Sequence, residues 1–242
     1  MPAPVNPNPR LQVDGPLAPL LAALWPPRCL GCGARGHAMR DLCLACLASL
    51  PWNRIACPVC ALPLPMPEAA CGACLKHRPP LDAVHAACVY ARPLDRLLPR
   101  FKFHGDFAAG RLLSQLMADA CAALPRPEAL VAIPLHRSRL RQRGYDQALE
   151  LAAPLARMLG LPLHRDLLVR CRVTAPQSEL SALARRRNVR NAFAVNTDAA
   201  CPSHVALVDD VMTTGATLHA AAMALRRAGV ARVEAWVCAR VP

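Results

Sequence analysis

The stretch HVALVDDVMTTGATL, residues 204–218, decides the fold of this chain. An apolar run from Val205 to Val208 leads into two adjacent acids, Asp209 and Asp210. A turn rich in hydroxyl groups follows, and a helical pattern begins after Gly215. A strand that is apolar on both faces is typical of a parallel sheet covered by helices. This stretch therefore predicts a strand of an α/β protein that delivers its acids at the carboxyl end.

The same alternation of strands and helices extends on both sides of this stretch. The patterns predict strands at 84–90, 129–133, 204–208 and 232–238, and helices at 93–103, 107–124, 147–159 and 216–228. We therefore expect an α/β fold with a mostly parallel sheet and helices on both faces. We expect a disordered tail at 1–16, a small Cys-rich zinc-ribbon domain at 17–80 and the α/β domain at 81–242.

The turn after the acids predicts a site for a ribose 5-phosphate group. Ionised carboxylates only accept hydrogen bonds, so Asp209 and Asp210 suit two ribose hydroxyls, and they could also hold Mg²⁺ directly or through water. Hydroxyls and the N–H groups at the helix start can cradle a phosphate. No lysine follows the glycine, so this is not a Walker loop. A plain capped turn accounts for one threonine but not for the whole set. The predicted phosphate-binding residues are Thr213, Thr214, Gly215, Ala216 and Thr217.

Eight of the 13 cysteines form four C-x-x-C pairs. Ten residues separate the pairs in each half, which favours two consecutive four-thiolate zinc sites, although crossed pairing of the knuckles stays open. The alternatives are a redox pair, which needs one motif only, and an iron–sulfur cluster, which expects another spacing. Filled thiolate sites leave no open position for catalysis, so the metal serves folding or partner contact. The predicted ligands are Cys29, Cys32, Cys43 and Cys46 for one ion, and Cys57, Cys60, Cys71 and Cys74 for the other.

Charge and composition narrow the choice of partners. The chain has 242 residues and a formal net charge of +13, and residues 131–190 hold 12 arginines against four acids. This excess suggests nucleic acid or phosphorylated small molecules as partners, unless the arginine bias merely reflects a GC-rich genome. Aromatic residues make up 4 %, which argues against a stacking platform as the main means of binding single strands. Without a recognisable secretory signal or a membrane-spanning segment, we expect a cytoplasmic protein with reduced thiols and no stable membrane insertion.

The stretch 204–218 closely resembles the fingerprint of type I phosphoribosyltransferases. Together with the cysteines and further segments, the chain resembles the ComF family of competence and DNA-uptake proteins. Those segments are FKFHGD at 101–106, IPLHRSRLRQRGYDQA at 133–148, TAPQ at 174–177 and NVR at 188–190. The chain departs from the family at Tyr145-Asp146, where Phe-Asn is usual, and at Asn191, where glycine is usual and where the backbone is therefore in question.

The resemblance implies phosphoribosyl pyrophosphate with Mg²⁺ as the ligand and Asp209 and Asp210 as catalytic residues. It implies a pyrophosphate loop formed by Leu135, His136 and Arg137 within a basic loop at 134–144, where alternate arginines could clamp a diphosphate or, alternatively, line a groove for DNA or face solvent. It also implies a role in DNA uptake during natural transformation. Two hypotheses stay open: an enzyme that transfers phosphoribosyl to an unknown acceptor, and a non-catalytic module that binds single-stranded DNA or DNA-uptake proteins.

Overall fold

The computed structural model describes residues 26–172, 191–196 and 201–242, so the predicted tail and the TAPQ and NVR segments lie outside the described residues. The chain divides into two compact units, one ending at Ser49 and one beginning at Leu50. The helices are α1 (Leu44–Ala48), α2 (Gly72–Lys76), α3 (Leu94–His104), α4 (Phe107–Cys121), α5 (Arg137–Arg143), α6 (Gln147–Leu159) and α7 (Ala216–Arg227). The strands are β1 (Ala83–Val89), β2 (Ala129–Ala132), β3 (Leu168–Arg170), β4 (Phe193–Val195), β5 (His204–Met212) and β6 (Arg232–Arg240).

The second unit contains a four-stranded sheet in the order β1-β6-β5-β2, and each neighbouring pair of strands is parallel. The inner strand β5 pairs with β6 over its whole length and with β2 from Val205 to Val208. Val205, Ala206, Leu207 and Val208 are fully buried, as a strand covered on both faces requires. The predicted α/β fold with a mostly parallel sheet is confirmed.

The corner between α3 and α4 places one lysine near the end of β5. Gly105 ends α3 with a φ of 64°, a conformation that glycine adopts without steric cost. Asp106 then caps α4, because its Oδ1 accepts a hydrogen bond from the Ala109 N–H at 3.0 Å. The motif from Phe101 to Asp106 is therefore a helix end and a helix start, and it holds Lys102 on the last turn of α3.

Three elements differ from the prediction. Residues 137–143 of the predicted basic loop form helix α5, with His136 as N-cap and Gly144 as C-cap. Strand β5 continues through both acids to Met212, beyond the predicted end at 208, because its pairing with β6 continues. The short antiparallel pair of β3 and β4 was not predicted. Asn191 has a φ of 54°, in the left-handed region that favours glycine and that asparagine tolerates.

Within the described ranges, no helix combines the length and the apolar character needed to cross a bilayer.

Candidate ligand site and metal centres

The two predicted acids are consecutive residues of β5 near its carboxyl end. Side chains of adjacent strand residues normally point to opposite faces of a sheet. Here the two carboxyl groups remain in direct contact with their local backbone and with each other. The Asp210 N–H donates to Asp209 Oδ1 at 2.8 Å, and the Val211 N–H donates to Asp210 Oδ1 at 2.8 Å. Asp210 is buried and Asp209 is half-buried. These contacts hold both carboxylates at one edge of the sheet.

Lys102 forms an ion pair with Asp210, with 2.7 Å between Nζ and Oδ2. Burial by itself raises the pKa of Asp210, but the charge of Lys102 and its hydrogen bond outweigh burial and lower that pKa below the usual value. Burial raises the pKa of Asp209 to about 8, and the negative charge of Asp210 contributes to this rise. Asp210 is therefore the more readily ionised member of the pair, and Asp209 holds its proton more tightly than a free carboxyl group does.

The turn between β5 and α7, where the sequence predicts a phosphate site, is formed around Gly215. Gly215 has a φ of 75° and is the N-cap of α7, and as a glycine it has no side chain with which to cap that helix. A Cβ atom at this position would lie 2.5 Å from Cε of Met212 and 2.8 Å from Nε2 of His219, so the turn is closely packed on its inner side. Thr213 is exposed, and Thr214 and Thr217 are half-buried. Helix starts in general offer N–H donors to anions, and the phosphate site at this turn stays a prediction.

The segment Leu135, His136 and Arg137 lies after β2, which pairs with β5, so it lies at the same carboxyl edge as the acids. The Leu135 N–H donates to Asp146 Oδ2 at 2.8 Å. His136 caps α5, because its Nδ1 accepts a hydrogen bond from the Ser138 N–H at 3.2 Å. Both groups are thus engaged in shaping the turn, and Arg137 is the exposed member of the three.

Helix formation separates the four alternate arginines of this segment. Residues two apart in a helix differ by about 200°, so Arg137 and Arg141 share one face and Arg139 and Arg143 share the opposite face. The exposure agrees with this division, since Arg137 and Arg141 are exposed and the other two are half-buried. The four arginines thus form two pairs on opposite faces of α5, and a diphosphate clamp built from alternate arginines stays a prediction.

Arg170 is a second cation near the acid pair that sequence reasoning missed. It lies on β3, is 8 % exposed, and its guanidinium lies 5.3 Å from the centre of the Phe193 ring. Burial lowers the pKa of Arg170, and the positive charge of Arg139 contributes, whereas the charge of Asp209 acts in the opposite direction. Arg170 is thus within electrostatic range of the candidate site. Strand β3 has only three residues, so the sequence carried no strand signal here.

The first metal centre lies in the unit that ends at Ser49. The thiol sulfurs of Cys29, Cys32, Cys43 and Cys46 all lie within 4.8 Å of one another, and those of Cys32 and Cys43 are 3.6 Å apart. A tetrahedral zinc ion with Zn–S bonds of about 2.3 Å holds its sulfurs about 3.8 Å apart, so this cluster fits zinc. Burial raises the pKa of Cys29, but backbone N–H groups outweigh it and lower that pKa to about 6.

The second centre has the same construction in the other unit. The sulfurs of Cys57, Cys60, Cys71 and Cys74 lie within 4.8 Å of one another, with 3.6 Å between Cys60 and Cys71. In both centres the third cysteine is the N-cap of a five-residue helix that holds the fourth. Two consecutive four-thiolate sites are therefore present, as the equal spacing predicted, and crossed pairing is excluded. Both fit structural zinc.

The second centre is joined to the sheet by several hydrogen bonds. The Val84 N–H donates to Pro58 O at 3.1 Å, and the Val89 N–H donates to Pro51 O at 2.7 Å. Arg240, at the end of β6, donates from Nε to Cys60 O at 3.0 Å and from a terminal nitrogen to Met212 O at 3.3 Å. A single side chain thus connects a zinc knuckle with the residue that ends β5.

Comparison with known proteins finds relatives of this chain and a family model for its cysteine-rich part. A family model described as a double zinc ribbon domain matches residues 20–75. Competence protein F of Haemophilus influenzae is 40 % identical over 156 residues, which span 61 % of this chain and 68 % of that protein. The chain belongs to the ComF family. DNA utilization protein YhgH of Escherichia coli K12 is 35 % identical over 62 % of this ComF-family chain and 68 % of its own length.

Competence protein ComFC of Bacillus subtilis is 32 % identical to this ComF-family chain over 139 residues, which span 55 % of this chain and 54 % of that protein. Among solved structures, the crystal structure of TT1426 from Thermus thermophilus matches 55 % of this chain and 83 % of its own, with 21 % identity and a TM-score of 0.34.

Proposed function

We propose that this ComF-family protein binds phosphoribosyl pyrophosphate with Mg²⁺ at the carboxyl end of β5 and acts in DNA uptake. The observation that carries the ligand proposal is the acid pair directly ahead of the Gly215 turn and the start of α7. Carboxylates and a helix start in this order offer acceptors for ribose hydroxyls and donors for a phosphate. The role in DNA uptake is supported by the relatives, which are named competence and DNA utilization proteins.

In this proposal each group of the site has one task. Backbone N–H groups and the threonine hydroxyls from Thr213 to Thr217 hold the 5-phosphate, and Asp209 and Asp210 accept hydrogen bonds from the ribose hydroxyls. Carboxylate oxygens are ligands that Mg²⁺ prefers, so the acid pair also fits that ion. When bound, Mg²⁺ neutralises charge on the pyrophosphate. Lys102 favours the ionised form of Asp210, and Arg137, which is exposed at the start of α5, is assigned to the pyrophosphate.

The reaction open to such a site is displacement at the anomeric carbon of ribose. A lone pair on an acceptor nitrogen forms the new bond to that carbon, and the bond from carbon to the pyrophosphate oxygen breaks with its electron pair on the leaving group. The proton lost by the nitrogen passes to water. The protein contributes position and charge stabilisation, because the acids face the ribose where positive charge develops.

Titration calorimetry with phosphoribosyl pyrophosphate and Mg²⁺ tests the ligand proposal. We expect binding by the wild-type protein and at least ten-fold weaker binding by Asp209→Asn, which replaces one carboxyl oxygen, an acceptor for hydroxyls and a ligand for Mg²⁺, with an NH₂ donor. Asp119→Asn, which makes the same substitution at an exposed position on α4, serves as the matched control and should bind normally. Absence of binding, or equal binding by Asp209→Asn and wild type, would refute the proposal.

A second candidate function is binding of single-stranded DNA along the outer face of α5. The observation in its favour is the pair of exposed arginines, Arg137 and Arg141, on the same helical face. Phosphate contacts release counterions, so binding of a single strand should weaken steeply with salt. Replacing both arginines by alanine should reduce the salt slope by about one to two, whereas Arg227→Ala at the end of α7 should leave it unchanged. Salt-independent binding would exclude this function.

A further inference from the structure

A cleft of about 410 Å³ lies at the amino edge of the four-stranded sheet, and we call it the amino-edge cleft. One of its walls is the segment from Arg78 to Asp82, which leads into the start of β1. The other wall is the end of α7, with Met223, Arg226 and Arg227. The acid pair lies near the carboxyl end of β5, and the strands of this sheet are parallel. The cleft and the acids therefore lie at opposite edges of the sheet.

The lining of the amino-edge cleft combines apolar surface with positive charge. Half of the lining residues are apolar, and among them Met223 is 50 % exposed and Pro79 and Pro80 are half-buried. A methionine side chain is flexible and polarisable, so it can pack against apolar groups of different shapes. The other half are three arginines and one aspartate, a formal excess of two positive charges. This lining fits a ligand that carries both an apolar group and negative charge.

One of the three arginines is already paired and fixed. Arg226 Nη2 lies 2.5 Å from Asp82 Oδ2, and its Nη1 donates to the carbonyl of Ala231. The same Asp82 oxygen accepts a hydrogen bond from the Val233 N–H at 2.7 Å. Burial raises the pKa of Asp82, but the Val233 N–H and the charge of Arg226 outweigh burial and lower that pKa. Arg226 and Asp82 thus form an ordered ion pair inside the cleft.

The other two arginines supply the excess charge. Arg78 and Arg227 are exposed and lie on different walls of the amino-edge cleft. In the part of the chain that the structure describes, neither guanidinium has an ion pair or a hydrogen bond to a side chain. A guanidinium can bind a carboxylate through two parallel hydrogen bonds. Two carboxylates that enter the cleft from solvent would therefore meet one arginine on each wall.

These features favour an acidic peptide over a nucleic acid strand as the occupant. None of the lining residues is aromatic, so bases have no ring on which to stack. The carboxylate of Asp82 lies in the lining and repels a chain of phosphates, whose charges are evenly spaced. A peptide can instead place an apolar side chain on Met223 and direct its carboxylates to Arg78 and Arg227.

We propose that the amino-edge cleft docks a short acidic segment of a partner protein. One apolar side chain of that segment packs against Met223 and the two prolines, and flanking carboxylates pair with Arg78 and Arg227. Complementary charge of this kind selects the partner and speeds its approach. The docking does not depend on a ligand at the acid pair, which lies at the other edge of the sheet.

NMR spectroscopy of protein with ¹³C-labelled methionine methyl groups tests the proposal, because Met223 reports directly on occupation of the cleft. The probe is a seven-residue peptide with three glutamates on each side of one leucine. It should shift the methyl signal of Met223, assigned with Met223→Leu, and leave that of Met158, which is exposed on α6, in place. Arg78→Ala and Arg227→Ala should each weaken binding about two- to five-fold, as expected for one exposed charge pair. Arg165→Ala, at an exposed position outside the lining, is the matched control and should bind as the wild type does.

An exchange of charge separates a specific contact from a loss of structure. The double variant Arg78→Glu with Arg227→Glu should lose the glutamate peptide and bind the same peptide made with lysines, because the cleft then carries negative charge. On the wild-type protein, peptides with glutamine in place of glutamate, or serine in place of leucine, should each bind about ten-fold more weakly. Melting temperatures of all variants show that they fold.

Three results would overturn the proposal. The first is an unshifted Met223 signal with the glutamate peptide, or equal binding by wild type and the alanine variants of Arg78 and Arg227. The second is a thymidine oligonucleotide that shifts the Met223 signal and displaces the peptide, which would make a nucleic acid strand the occupant. The third is inorganic phosphate that binds as tightly as the peptide and competes with it, which would reduce the cleft to a site for small anions.

Discussion

Replacement of Lys102 by methionine should destabilise the protein in a manner that depends on pH. The lysine lies 2.7 Å from Asp210, and the exposed fractions of the two side chains are 34 % and 6 %. At this distance an effective dielectric constant of 20 gives about 6 kcal/mol of gross attraction. Because Lys102 is partly exposed, water screens much of this attraction. We therefore expect Lys102→Met to lower the free energy of unfolding by about 2–3 kcal/mol at pH 7.5.

The sign of the pH dependence follows from the carboxylate left behind. Without Lys102, burial raises the pKa of Asp210, and below that pKa the protonated group no longer carries a buried charge. The difference between Lys102→Met and wild type should therefore shrink as pH falls from 8 to 5. Urea denaturation at several pH values measures this difference in the free energy of unfolding. The double variant Lys102→Met with Asp210→Asn should recover most of the stability that Lys102→Met loses. A deficit that is constant with pH, or absent, would refute this account of the pair.

Three further perturbations follow from the geometry. Gly215→Ala should lower the free energy of unfolding by about 2–3 kcal/mol and the melting temperature by about 5–10 °C, because this position has a positive φ and close contacts. Gly229 also has a positive φ but has open space around it, so Gly229→Ala should lower the free energy of unfolding by only about 1–2 kcal/mol. Burial lowers the pKa of His85, so protonation of this histidine favours the unfolded chain. The urea concentration at the midpoint of unfolding should therefore fall as pH drops below about 6.5, and His85→Gln should make this dependence on pH weaker. An unchanged pH dependence in His85→Gln would contradict the role of His85. Ala61 has a φ of 54°, and Gly33 stands at the equivalent position of the first knuckle, so Ala61→Gly should raise the free energy of unfolding of the second unit by about 0.5–1 kcal/mol. A lowered free energy of unfolding would argue against strain at this position.

Local patterns were sufficient for the main sheet and for both metal centres. The strand from Val205 to Val208 could be predicted because a strand buried on both faces is a continuous apolar run in the sequence. The helix after Gly215 could be predicted because a glycine turn precedes a helical apolar pattern. The zinc sites could be predicted because all eight ligands lie in regular C-x-x-C pairs, and equal spacing favoured consecutive pairing. The structure confirms both.

The remainder depends on contacts between distant residues or on weak local signals. Lys102 and Asp210 are 108 residues apart, so no local pattern joins them. Helix α5 has one apolar residue, Leu140, and therefore no periodic apolar face; its boundaries follow from the caps His136 and Gly144. The three-residue strands β3 and β4 depend on pairing between residues 168–170 and 193–195, and such short segments have no strand pattern in the sequence.

The hydrogen bonds from residues 51–58 to β1 have a consequence for handling the protein. In the described sheet β1 has β6 on one side only, and its other side faces this segment of the second ribbon, through Asn53 to Ala87 O, Val84 to Pro58 O and Val89 to Pro51 O. An uncovered strand edge is a template for pairing with another chain. If chelation of zinc unfolds the second ribbon, this edge of β1 loses its cover, and the protein should self-associate. Zinc should therefore be kept in every buffer from cell lysis onward.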